Sequence, residues 1–66
     1  MKRTDLIRTI EDEGCVFVRA GGRHDVYRNV ITGMADAVPR HREINELTAR
    51  AIIRRLSAPK ADSSQS

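Results

Sequence analysis

The residues best suited to chemistry in this chain are its two histidines, each set beside arginine. His24 follows Gly21, Gly22 and Arg23, and His41 sits in Pro39-Arg40-His41-Arg42, ahead of Glu43. An imidazole ordinarily titrates near pH ~6.5, so it accepts and donates protons at neutral pH. A guanidinium presents a planar fork of donors that matches phosphate oxygens. Together they suit RNA cleavage, because RNA carries its own nucleophile, the 2′-hydroxyl. A base for that hydroxyl and a cation for the phosphate suffice without a metal. His24 is therefore the candidate general acid or base. Arg23, Arg28, Arg40 and Arg42 are candidate RNA-binding residues, with His41 as a further RNA contact or second proton carrier. The local sequence by itself favours a plainer reading of His24, as a solvent-exposed histidine in a hairpin. The run at 40–42 also reads as a solvated loop before a helix.

Other chemistries find less support. The two histidines and scattered carboxylates show no metal-ligand spacing, so no metal site is expected. Cys15 is the single cysteine, which excludes an internal disulfide and a cysteine-based zinc site. It lies in an apolar run, where a thiol packs as a small hydrophobe and is inert. Phe17 and Tyr27 are the only aromatics and are expected in the core.

Composition bounds the rest. With 66 residues the chain holds one domain with a small core. It has no room for a deep cofactor pocket, so no cofactor is expected and activity must sit on a surface or in a shallow groove. Twelve basic residues, ten of them arginine, oppose nine acidic ones for a net charge of +3. That balance points to a polyanionic partner, nucleic acid first, although a solvated arginine-rich surface has the same composition. No apolar signal core and no apolar run of membrane length is present. The expectation is a soluble, cytoplasmic protein with no membrane contact.

The elements that must position these residues follow from periodicity. Leu6, Ile7 and Ile10 make a helical stripe over residues 4–13, with Thr4 as N-cap and Gly14 as the stop. Residues 15–19 and 23–29 read as two strands joined across Gly21-Gly22, a hairpin. Thr32-Gly33 marks the next turn, and residues 34–38 a third strand that ends at Pro39 or lies at an edge. Asn45 caps a second helix whose buried stripe is Ala49, Ile52, Ile53 and Leu56. The result is an α+β domain of order α-β-β-β-α over residues 1–57, an antiparallel sheet with both helices on one face. Residues 58–66 are expected to be a disordered tail. The expected core is Leu6, Ile7, Ile10, Val16, Val18, Val26, Val38, Ile52, Ile53 and Leu56, with Phe17 or Tyr27 added according to which sheet face the helices cover. Alternation along the second strand sets His24, Val26 and Arg28 on one face and Asp25, Tyr27 and Asn29 on the other, so Asp25 should not orient the His24 ring.

Four segments then carry a resemblance. They are Leu6-Ile7 with Glu13-Gly14; Gly22-Arg23-His24-Asp25-Val26-Tyr27-Arg28; Val38-Pro39-Arg40-His41-Arg42-Glu43-Ile44; and Thr48-Ala49-Arg50-Ala51-Ile52. In this order and spacing the chain resembles the HicA toxins of type II toxin–antitoxin systems. The resemblance implies a fold similar to a double-stranded-RNA-binding domain and metal-independent cleavage of mRNA. It implies His24 as the catalytic histidine, and a HicB-type antitoxin that covers the active surface. Three positions depart from the family pattern. Arg23 replaces a small residue, often serine; Leu47 replaces a glycine; and Val30 stands in a turn that is often Asn-Pro. A non-catalytic RNA-binding module of the same fold, or a protein that only docks an antitoxin, remains the alternative.

Overall fold

The computed structural model describes residues 1–57, and the tail expected at 58–66 lies outside them. Five elements follow in the expected order: α1 (Arg3–Asp12), β1 (Cys15–Ala20), β2 (His24–Asn29), β3 (Ala35–Pro39) and α2 (Glu46–Leu56). The strands form one sheet of order β1-β2-β3 with both pairings antiparallel. β2 is therefore central and β3 an edge, which tolerates Pro39 as the last strand residue.

One sheet face and one stripe of each helix close the core. Leu6 and Ile10 of α1 meet Ala49, Ile52 and Leu56 of α2 over Cys15, Tyr27 and Val38 of the sheet, with Ile44 entering from the loop before α2. Leu6, Ile10, Val38 and Leu56 are wholly buried. Burial of each such side chain contributes about 1.5–3 kcal/mol, so a domain this size depends on every one of them. Met1, Ile7 and Ile53 pack against the margin.

Helix boundaries follow local chemistry at two ends. Asn45 caps α2, its side-chain oxygen accepting from Leu47 N at 2.8 Å and Thr48 N at 3.4 Å. Gly14 ends α1 with a φ of +103°, a left-handed conformation that only glycine adopts without strain. The start of α1 differs from expectation. Lys2, not Thr4, is its N-cap, and no side chain caps it. A short backbone pairing takes that role: Arg3 N donates to Arg42 O at 2.9 Å, Ile44 N donates to Met1 O at 2.8 Å, and Lys2 bridges Glu43. Contact with the loop 42–44 thus starts the helix earlier than its own sequence would.

The expected core holds at Val38 but is wrong for the valines of β1 and β2. Val16 and Val18 are each 47% exposed and Val26 is only half-buried, because the helices cover the other face. Tyr27 is core, but Phe17 is 54% exposed and rests edge-on against Tyr27 with centroids 5.8 Å apart. Asn29, taken only as a strand residue, is wholly buried. Its amide nitrogen donates to Leu56 O at 2.6 Å and Glu13 O at 2.9 Å, and its oxygen accepts from Ile31 N and Thr32 N. One amide therefore ties the ends of both helices to the β2–β3 turn.

Candidate nucleic-acid interface

The face that the helices leave bare is defined by β2. His24, Val26 and Arg28 alternate with Asp25, Tyr27 and Asn29, and only the second set turns toward the core. Across the strands, Val16 lies opposite Arg28, Arg19 opposite Val26, Pro39 opposite His24, Ala37 opposite Val26 and Ala35 opposite Arg28. The bare face is thus a shallow floor of small and apolar side chains with His24, Arg19 and Arg28 standing on it. An open sheet face of this kind suits an extended polyanion better than an enclosed small molecule.

His24 is the first residue of β2 and is exposed. Its backbone oxygen accepts from Gly21 N at 2.7 Å, closing the hairpin turn and fixing where the ring emerges. Among the described residues its imidazole has no hydrogen-bond or ion-pair partner. Asp25 does not orient it, as the alternation predicts. That carboxylate lies on the opposite face, 17% exposed, and holds two guanidinium groups: Arg3 at 2.8 Å and Arg40 at 2.8 Å and 3.0 Å. Arg3 also donates to Pro39 O at 2.8 Å. The cluster fastens the start of α1 to the end of β3.

The other expected site residues divide. Arg23 closes the hairpin, is exposed, and accepts Arg40 N on its backbone oxygen at 3.2 Å. That bond brings the chain at 40–42 alongside the His24 turn, so segments 16 positions apart share one end of the sheet. Arg42 and His41 are exposed on this loop, and their side chains have no partner among the described residues. Arg28 shares the His24 face four residues further along β2, about 13 Å away at strand spacing. Arg40 is about half exposed, but its fork is engaged by Asp25. A shallow groove of about 480 Å³ lies at the start of α1, lined by Lys2, Arg3, Thr4, Arg42 and Glu43; His24 is not in it. Beside it the Met1 ammonium contacts Glu43 at 3.2 Å and Glu46 at 3.4 Å. The hydrogen bond it donates to the Glu43 carboxylate leads in raising that ammonium's pKa above its ordinary value.

Sequence reasoning missed Arg19. Strict alternation from buried Cys15 would turn residue 19 toward the helices. A β-bulge intervenes: Phe17 pairs with Tyr27 and Arg19 with Val26, leaving Val18 as an extra residue. The bulge moves Arg19 onto the bare face. No local signal in Cys-Val-Phe-Val-Arg marks it.

An exposed histidine at a hairpin rim, arginines on two converging segments and an uncovered antiparallel sheet face define a small α+β domain with a basic, uncovered face. The comparison with protein families agrees with that architecture and makes it specific. Residues 3–57 match the family model described as HicA toxin of bacterial toxin–antitoxin, and the chain belongs to this family. No curated protein and no solved structure matches it. The chain is accordingly a toxin of a toxin–antitoxin pair, and its family implies an antitoxin partner. No helix among the described residues is long and apolar enough to cross a membrane.

Proposed function

We propose that this toxin is a cytoplasmic endoribonuclease that cleaves mRNA on its bare sheet face, with His24 as general acid–base and residues 1–57 as the working unit. The observation that carries the reading is the exposed, unpartnered imidazole of His24 at the rim of that face, beside Arg23. Neutral His24 takes the proton of a ribose 2′-hydroxyl. The 2′-oxygen forms a bond to phosphorus, the bond from phosphorus to the 5′-oxygen breaks, and the departing oxygen takes a proton from water or an adjacent acid such as His41. The products are a 2′,3′-cyclic phosphate and a free 5′-hydroxyl. Arg23, Arg28 and Arg42 bind phosphates along the strand, and Arg40, its fork held by Asp25, contributes positive charge to the same edge. The step needs no metal, because nucleophile and base are both organic groups and the arginines carry the charge.

A HicB-type antitoxin silences the toxin by covering this face. The exposed Val16 and Val18 with unpaired Arg19 and Arg28 offer an apolar floor with a positive rim, suited to an acidic protein surface.

The test is cleavage of an mRNA in vitro, paired with inducible expression scored for growth arrest and transcript loss. Wild type should cut in excess EDTA, and His24→Ala should not. Cutting retained by His24→Ala refutes the assignment. RNA binding without cutting by wild type identifies instead a non-catalytic module.

A further inference from the structure

We propose that Arg19 is a substrate-binding catalytic residue, the guanidinium that holds the reacting phosphate against His24; this rests on the ribonuclease reading above. Three observations place it there. First, the β1 bulge sets Arg19 opposite Val26, and Val26 and His24 are alternate residues on one face of β2. Arg19 and His24 are therefore diagonal cross-strand neighbours, which stand about 7–8 Å apart and are bridged by long side chains. Second, one terminal nitrogen of the Arg19 guanidinium lies 3.9 Å from the point where a Cβ on Gly21 would stand. Gly21 itself donates its N–H to His24 O at 2.7 Å, so the guanidinium hangs over the turn from which the imidazole projects. Third, Arg19 is exposed and its side chain has no hydrogen bond or ion pair among the described residues. Arg3, Arg40 and Arg55 each hold a carboxylate, whereas this fork is unoccupied.

The chemistry follows from the placement. With the 2′-oxygen at the imidazole, the non-bridging oxygens of the same phosphodiester lie within reach of a neighbour at that diagonal. Negative charge on those oxygens grows as phosphorus becomes pentacovalent, so a fixed guanidinium there binds the transition state more tightly than the ground state. Gly21 contributes by having no side chain: a Cβ there would stand 3.1 Å from His24 O and in van der Waals contact with the guanidinium.

The experiment measures cleavage of one RNA by wild type, Arg19→Ala, Arg19→Lys, His24→Ala and Arg8→Ala. Arg8 is an exposed arginine of α1 without a partner, so its substitution removes the same charge elsewhere. Arg19→Ala should lose about 100-fold in kcat with KM changed much less, as for removal of one oxyanion donor. Arg19→Lys should recover part of the loss, and free guanidinium ion should partly restore Arg19→Ala. Arg8→Ala should cut as wild type does. Thermal unfolding of each variant confirms that the protein compared is folded, and the lysine variant carries the test if the alanine variant is not. Arg19→Ala or Arg19→Lys cutting at the wild-type rate overturns the assignment, as does an equal loss in Arg8→Ala, while the His24 result stands apart. Cutting retained by His24→Ala overturns the ribonuclease assignment of His24, and this inference with it.

Discussion

Replacing Asp25 with alanine should weaken the fold while strengthening the grip on RNA. The carboxylate holds Arg3 at 2.8 Å, both partners being about one-fifth exposed, and Arg40 at 2.8 Å, where the arginine is about half exposed. An exposed pair contributes about 0–1 kcal/mol, and breaking a buried one costs about 3–5. The Arg3 pair lies between these limits, at about 1.5–2 kcal/mol, and Arg40 adds less than about 1. Arg3 keeps Pro39 O as a partner, which limits the damage. The sum is about 2–3 kcal/mol, against a total of about 3–9 kcal/mol expected for a domain this small. The midpoint of thermal unfolding should fall by about 10–20 °C.

Electrostatics runs the other way. Net charge rises from +3 to +4 when this carboxylate is lost. The Arg40 fork, beside Arg23 through its backbone bond, becomes free for phosphate. One such contact in water is worth about 1 kcal/mol, or about fivefold in affinity, and should steepen the dependence of log K on log salt by about 0.7. The assay pairs circular-dichroism melts with RNA titrations of a non-cleaving His24→Ala background across a salt series, held below the variant's melting range. A melting point within about 3 °C of the parent, together with an unchanged salt slope, would show that Asp25 neither braces the fold nor restrains Arg40.

Two further outcomes concern the interior. Asn29→Ala removes four hydrogen bonds from a wholly buried amide and should cost about 3–4 kcal/mol, read from urea unfolding. Asn29→Asp should cost at least as much at neutral pH, since its carboxylate would face the Leu56 and Glu13 carbonyls; stability equal to wild type would remove Asn29 as the tie between the helix ends. Burial pushes the Cys15 thiol above its ordinary pKa, and its sulfur donates to Leu56 O at 3.5 Å. The folded state therefore keeps this proton longer than the unfolded chain. Its contribution is complete below the unfolded value of about pH 8.5 and is lost as pH rises through the raised one. A disulfide reagent at about pH 8 should label native protein slowly and denatured protein at once; equal rates would contradict the burial.

The local elements were legible because their causes are local. Helical spacing of Leu6, Ile7 and Ile10, the Asn45 cap, the stop at Gly14 and the hairpin glycines each act over a few residues, and the element order followed from them. His24 and its separation from Asp25 were legible too, since alternation along an uninterrupted strand fixes which side chains share a face. What lay beyond the sequence was which face the helices would cover. Val16, Val18 and Val26 are as apolar as Cys15, Tyr27 and Val38, and only packing against α1 and α2 chose between them. The same holds for Arg19, which a single bulged residue carries to the His24 side, and for the start of α1, fixed by a strand-like pairing with residues 42–44. Alternation assigns residues to one of two faces, but naming the buried face needs the long-range contacts that only the folded chain makes.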